Sequence, residues 1–360
     1  METRDYWYWL GVTEDFGASA ARRLLTLYGS PEEVFRQHTL PVSGRMQEAL
    51  DESKRKLDEL LKERDGFAAQ GVSWCCPVDE DYPKRLLSIP DPPTVLFRKG
   101  ELPPEEKKTA AVIGARRCSF YGRSMAERFG RELAGAGVSV ISGMAMGIDG
   151  YAQSAALSAG GQSFGILGCG VDQAYPAVNR PLYEKLITQG GVISEFKPGT
   201  PPLAYHFPLR NRIISGLADV LLVIEARAVS GTRITVDQAL EQGRDVFALP
   251  GRLDDPLSEG CNDLIRQGAA ILTGVGDVLS LLQVEDPSAG GKGKRKARSA
   301  AGLSAAQKNV LRALSHDPQH LEEIMMKTGY GLGELSLILL SLEESGWVRP
   351  VSGGQYVKSS

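Results

Sequence analysis

From Ala110 to Thr273 the chain repeats one unit: a short apolar run, a glycine-bearing turn and an amphipathic stretch. The runs are "AAVIG", "VSVIS", "SFGIL", "GVIS", "DVLLVIE", "DVFAL" and "AAILT", and the stretches between them include "YGRSMAERFGRELAGAG" and "TRITVDQALEQG". Apolar runs this short suit strands buried on both faces, and the helical spacing between them supplies the cover. Seven such runs in βα alternation predict an α/β fold, a doubly wound and mostly parallel sheet with helices on both faces. The preceding "GVSWCCPVDEDYPKRLLSIPDPPTVLFRKG" adds a strand or two ahead of it.

At 360 residues the chain exceeds one ordinary domain, and its composition changes mark the divisions. Residues 1–68 read as helical, with Leu24, Leu25, Leu27, Val34 and Phe35 interrupted at Gly29-Ser30-Pro31. Ser30 fits an N-cap, Pro31 the first helical position and Glu33 the third. This segment resembles the small helix-hairpin-helix or SAM-like modules of DNA-handling proteins; a helical bundle without DNA contacts fits the bare pattern equally. Residues 69–284 hold the sheet. Residues 285–302, "EDPSAGGKGKRKARSAAG", carry Lys292, Lys294, Arg295, Lys296 and Arg298 and read as a solvated basic tether. Residues 303–360 run helix, helix, helix and short ribbon, the order of a winged helix-turn-helix. A DNA reader places arginine, lysine or asparagine on the third helix, whereas "GLGELSLILLSLEES" has none and carries Glu334, Glu343 and Glu344. That sequence favours a protein contact.

Net charge is -3, so any anion site must be local. No apolar run has the length of a membrane helix, and "METRDYWYWL" lacks the pattern of a signal peptide, so a cytoplasmic protein is expected. Five scattered cysteines without a CxxC pair, and four histidines out of register with them, predict neither a disulfide framework nor a metal site.

An open parallel sheet binds ligands at the carboxyl edge of its strands, where loops lead into helix N-termini. The glycine-rich segments "IGARR", "SGMAMGID", "LGCG" and "SGT" fall there. Ser142 and Gly143, and likewise Ser230, Gly231 and Thr232, are placed to offer backbone N–H groups to a phosphate. Each is also explained as a structural turn; their convergence on one edge favours an anion site. The first turn, "GARRCSFYG", has Arg116 and Arg117 where a dinucleotide fold needs glycine, and no GxxxxGK[ST] occurs, so NAD and P-loop readings fail. "GQSFG" matches the hydrolase elbow, but Ser163 opens a strand instead of ending one. What remains is a groove with arginines, backbone donors and the stretch "HFPLRNRIISGLAD". Phe207 offers a flat face for a base and Arg116, Arg210, Asn211 and Arg212 offer groups for the backbone, the combination that holds single-stranded nucleic acid. Phe207 before Pro208 fits core packing as well.

Taken in order, "AAVIGARRCSFYG", "VISGMAMGIDGYAQSAAL", "GILGCGVDQAYPAVNRPLY", "VISEFKPGTPPLAYHFPLRNRIISGLADVLLVIEARAVSGT" and "GRDVFALPG" resemble the DNA-processing protein A family (DprA, also called Smf) over nearly the whole chain. The resemblance implies an extended Rossmann-like domain that is not an enzyme, takes no cofactor, binds and protects incoming single-stranded DNA during natural transformation and loads the RecA recombinase onto it. It also implies a homodimer, with single-strand-binding protein or competence factors as further contacts. Carried over residue by residue, the DNA-contacting set is Gly114 and Arg116 after the first strand, Ser142 and Gly143, Phe207, Arg210, Asn211 and Arg212, joined by Ser230, Gly231 and Thr232.

Three positions depart from the family pattern. Gly114-Ala115-Arg116 stands where Gly-Ser-Arg is usual, Gln153 stands where histidine is usual, and "PPLAY" lacks the basic residue often found before "HFP". Lys197 or Arg233 is the expected substitute for that charge. The rival reading is a nucleotide phosphoribohydrolase-like enzyme on the same fold; it needs a glutamate three residues after Gly-Thr, where this chain has Thr235.

Overall fold

The computed structural model describes residues 1–14, 16–287, 302–315, 317–351 and 353–358. They fall into two compact units, residues 1–118 with 125–286, and residues 287–360 with 119–124. The basic run from Lys292 to Arg298 lies outside the described residues.

The first unit opens with helices α1 (Thr3–Val12), α2 (Ala18–Tyr28), α3 (Pro31–Arg36), α4 (Gly44–Arg55) and α5 (Leu57–Asp65). Ser30 caps α3 by accepting the Glu33 N–H at 3.2 Å, with Pro31 opening the helix. Trp9, Leu24, Val34 and Leu50 form a core of their own, in which the Trp9 indole N–H donates to Ser53 Oγ at 2.7 Å. Tyr8, the next residue on α1, belongs to a different core and packs edge-on against Phe97 of the sheet. Adjacent residues of one helix therefore serve both bodies, and the helical segment and the sheet make one compact unit.

The sheet is built from β1 (Ser73–Cys75), β2 (Leu96–Gly100), β3 (Thr109–Ile113), β4 (Ser139–Ser142), β5 (Ser163–Ile166), β6 (Gly190–Ser194), β7 (Val220–Val223), β8 (Asp245–Ala248) and β9 (Ala270–Ile271). Its helices are α6 (Lys84–Leu87), α7 (Phe120–Gly135), α8 (Ile148–Ser158), α9 (Arg180–Gln189), α10 (His206–Leu217), α11 (Gly231–Glu241), α12 (Glu259–Arg266) and α13 (Val275–Leu282). The strand order is β1-β2-β6-β5-β4-β3-β7-β8-β9. All seven apolar runs of the sequence become the parallel strands β3 to β9, and β1 and β2 join antiparallel at one edge. The α/β reading of the sequence is borne out.

Strand alternation explains the burial on both faces. Ala111, Ile113, Leu221 and Val223 face one core with Ile213, Leu217 and Val236, while Ala110, Val112, Val220 and Leu222 face the other with Phe129, Leu133 and Val278. Each large side chain buried this way contributes about 1.5–3 kcal/mol. From β3 the chain winds to β4, β5 and β6 on one side and then, through α10, to β7, β8 and β9 on the other. The order reverses between β3 and β7, and such a switch point opens a crevice outside the carboxyl ends of the two strands.

The second unit holds α14 (Ala305–Ala313), α15 (Leu321–Thr328) and α16 (Leu332–Glu344), with strands β10 (Gln319–His320), β11 (Val348–Val351) and β12 (Gln355–Lys358) paired antiparallel in the order β10-β12-β11. Ser304 and Gln307 cap α14 reciprocally at 3.2 and 2.8 Å. Val310, Ile324, Leu335, Leu339, Leu342 and Val348 form its core. This is the winged helix expected from the sequence.

Candidate functional site

A crevice of about 790 Å³ lies at the β3/β7 switch point. One wall is the turn after β3. Ala115 N–H donates to Glu225 O at 2.8 Å, and Ala115 O accepts the Ile148 N–H at 3.2 Å, so the turn is clamped between the end of β7 and the start of α8. Gly147 has φ 78°, and a Cβ there would run into the Ala115 carbonyl, so the β4–α8 loop closes on the turn only as glycine. The clamp leaves the Arg116 side chain exposed at the crevice rim, its guanidinium carbon 5.4 Å from the centroid of Phe207.

The floor is built from buried polar groups. Arg210 is 4% exposed and donates from Nη1 to Gly143 O at 2.8 Å and to Ile166 O. Asp149 accepts the Gly143 N–H at 3.0 Å. A Cβ on Gly143 would stand 2.7 Å from Arg210 Nη2 and 2.8 Å from Asp149 Oδ2, so the missing side chain leaves room for these two charges to face each other. Burial lowers the Arg210 pKa to about 10, against the pull of Asp149, and the guanidinium stays charged at neutral pH. Burial likewise raises the Asp149 pKa, opposed by Arg210 and by hydrogen bonds from the loop. Met144 holds φ 53°, pinned where its N–H meets Gln153 Oε1 at 3.1 Å and its carbonyl accepts Asn179 Nδ2 at 2.9 Å.

These bonds correct the sequence-based reading of the β4–α8 loop. Ser142 is wholly buried and donates its hydroxyl to Val112 O at 2.6 Å, and the Gly143 N–H is taken by Asp149. Neither group is left to meet a phosphate; the loop carries the floor instead. Gln153, in the usual histidine position, is buried, and its Nε2 donates to Phe164 O at 3.0 Å.

Arg212 is corrected too. It lies on the side of α10 facing a second cleft and forms a paired bridge with Glu195 at 2.9 and 2.6 Å. Helical geometry is the reason: Arg210 and Arg212 are two residues apart, so they point to different sides of α10. The charge expected from Lys197 or Arg233 is likewise elsewhere, with Lys197 paired to Glu63 at 2.9 Å and Arg233 to Asp237 at 3.3 Å.

Phe207 is half-buried against Gly168, and Asn211 lines the crevice beside it. Gly114, Ser230, Gly231 and Thr232 line it as well. The last two open α11, where the first N–H groups of a helix lack intrahelical acceptors. The Ser230 hydroxyl oxygen is buried and has no hydrogen-bond partner among the described residues. Sequence reasoning missed Tyr175, which is 40% exposed and stacks on Phe207 at 5.6 Å and 28° between planes. It missed Arg227 too. The lining thus carries Arg116, Arg117, Arg210 and Arg227 against a single carboxylate, Asp149. Ser163 does open β5, and its hydroxyl donates to Val140 O at 2.7 Å, as a structural serine would. Among the described residues no cluster of His, Cys, Asp and Glu is able to hold a metal ion, and no helix is long and apolar enough to cross a membrane.

The model of the DNA recombination-mediator protein A family matches residues 73–283, which include every residue of this crevice. The chain belongs to that family. The DprA winged helix domain matches residues 294–354. Protein Smf of Escherichia coli is 40% identical over 291 residues, 78% of this chain and 76% of that protein. The DNA processing protein DprA of Streptococcus pneumoniae is 43% identical over 203 residues, 56% and 72% of the two chains. Its X-ray structure covers 77% of this chain and 97% of its own, with a TM-score of 0.65 and 34% identity. The structure of DNA processing protein A from Helicobacter pylori, solved for its single-stranded DNA binding mode, covers 59% and 95% at a TM-score of 0.53 and 28% identity.

Proposed function

We propose that this chain binds single-stranded DNA along the β3/β7 crevice and delivers it to a RecA-type recombinase, acting as a homodimeric binding protein and not as a catalyst. The observation that carries the reading is Arg116. It is exposed at the rim, stands over the Phe207 ring and makes no salt bridge among the described residues. A free guanidinium beside aromatic faces suits a flexible strand whose bases are unstacked and whose phosphates are reachable. The Helicobacter pylori relative, described by its single-stranded DNA binding mode, supports the same ligand. The Arg210 and Asp149 framework holds the rim in place before DNA arrives, so little ordering is left for binding to accomplish.

The enzyme reading lacks its acid. Thr235, where the phosphoribohydrolase group needs glutamate, is 3% exposed and lines the crevice without a carboxylate. Incubation with nucleoside monophosphates is expected to release no base, and sustained release would overturn the binding-protein reading. The delivery step is tested by following the ATPase of RecA on DNA coated with single-strand-binding protein. Adding this chain is expected to shorten the lag, and an unchanged lag would remove recombinase loading from the account.

A further inference from the structure

The winged helix presents an apolar ridge where a DNA-binding winged helix presents cations. On α16 the residues Leu335, Leu339 and Leu342 enter the core, and the opposite face turns Leu337, 71% exposed, and Leu340, 53% exposed, to solvent. Leu332, at the first turn, is exposed as well. Leu337 and Leu340 are three residues apart and so adjoin on the helix surface. Around them stand Glu334, Glu343 and Glu344, and α16 has no lysine or arginine. Exposed leucines at adjoining helical positions have no role in the fold of this unit and mark a contact surface.

The charges select the occupant. A second copy of α16 would bring three more glutamates and no cation to the same surface, so a self-contact would be flanked by like charges. Nucleic acid is disfavoured by the same glutamates. The chain's own basic run, "GKGKRKAR", has charge but no large apolar side chain to cover leucine. We propose that α16 docks an amphipathic helix of another protein, one that presents an apolar stripe at i, i+3, i+4 and i+7 flanked by lysine or arginine. The leucines supply the contact area and the glutamates fix orientation and exclude acidic helices.

The test uses the full chain and a fluorescein-labelled synthetic peptide with that pattern, leucine on the stripe and lysine at its flanks, read by anisotropy. Saturable binding is expected, weakened about tenfold or more by Leu337→Ser and by Leu340→Ser, because each removes most of one buried leucine contact. Both positions face solvent, so the variants keep the fold, which circular dichroism checks. Leu253→Ser, at an apolar residue of the other unit that is 95% exposed and outside the crevice, is expected to change nothing. The same peptide with glutamate in place of lysine is expected to bind at least tenfold more weakly. The proposal fails if the lysine peptide does not bind, if it binds the leucine variants as it binds the wild type, or if the glutamate peptide binds equally. It fails also if sedimentation shows a self-association that Leu337→Ser abolishes, since a second copy would then be the occupant.

Discussion

Arg116 and Phe207 meet across the mouth of the crevice, the guanidinium carbon 5.4 Å from the ring centroid, and so join the turn after β3 to the first turn of α10. A cation on an aromatic face at this distance contributes about 0.5–1 kcal/mol at an exposed site and leaves the guanidinium edge free for a phosphate. The pairing sets how the two halves of the crevice respond to substitution.

Arg116→Ala is expected to weaken single-stranded DNA binding and to lower the slope of log affinity against log salt by about 1, the loss of one phosphate contact. Its melting temperature is expected to fall only slightly, because the side chain is exposed, makes no salt bridge among the described residues and gives up a ring contact of about 0.5–1 kcal/mol. Titrations at several salt concentrations with a short oligothymidine measure both slopes, and an unaltered slope would remove Arg116 from the phosphate path.

Tyr175→Ala and Phe207→Ala are expected to lose about 1–3 kcal/mol of binding each, the scale of one base stacked on one aromatic ring. They differ in stability. Phe207 is wedged against Gly168, where a Cβ would stand 2.8 Å from its ring, so Phe207→Ala also lowers the melting temperature; Tyr175 is 40% exposed and loses one stacked ring contact, so its removal lowers it less. Differential scanning fluorimetry beside the same titration separates the two roles.

Arg210→Ala and Arg212→Ala are expected to act on the fold. The first leaves the carbonyls of Gly143 and Ile166 without their donor and Asp149 without a facing cation, and the second leaves Glu195 unpaired. Breaking a buried charge pair such as Arg212–Glu195 costs about 3–5 kcal/mol, and taking the donor from two buried carbonyls about 1–3 kcal/mol each. Urea unfolding is expected to report losses of that order for both, and the folded Arg212→Ala protein is expected to keep the wild-type salt slope. A reduced slope would return Arg212 to the DNA path.

The sequence was readable where one local pattern decides one structural outcome. The seven apolar runs had only one way to be buried on both faces, and Ser30-Pro31-Glu33 had one way to start a helix. The strand-edge loops were legible as to place, since glycines at strand ends mark the carboxyl edge. Their hydrogen bonds were not. Whether the Gly143 N–H faces solvent or Asp149 depends on the register between β4 and α8, and whether Arg210 or Arg212 enters the crevice depends on how α10 is rolled on the sheet. Both are set by packing against distant residues such as Glu195 and Ile166. Tyr175 escaped for a related reason: it lies 32 residues from Phe207 in a loop with no periodicity, and only the tertiary fold stacks the two rings.

Removal of residues 303–360 is expected to leave the affinity for single-stranded DNA within a few-fold of the intact chain, because α16 carries three glutamates and no cation. A loss of a hundredfold or more in the truncated chain would make the winged helix the reader.

The most direct test of the crevice is a competition at several salt concentrations between a labelled oligothymidine and unlabelled single-stranded or duplex DNA of equal length. The single strand is expected to displace the probe at far lower concentration than the duplex, and Arg116→Ala is expected to narrow the difference. Equal displacement by single strand and duplex would contradict that expectation.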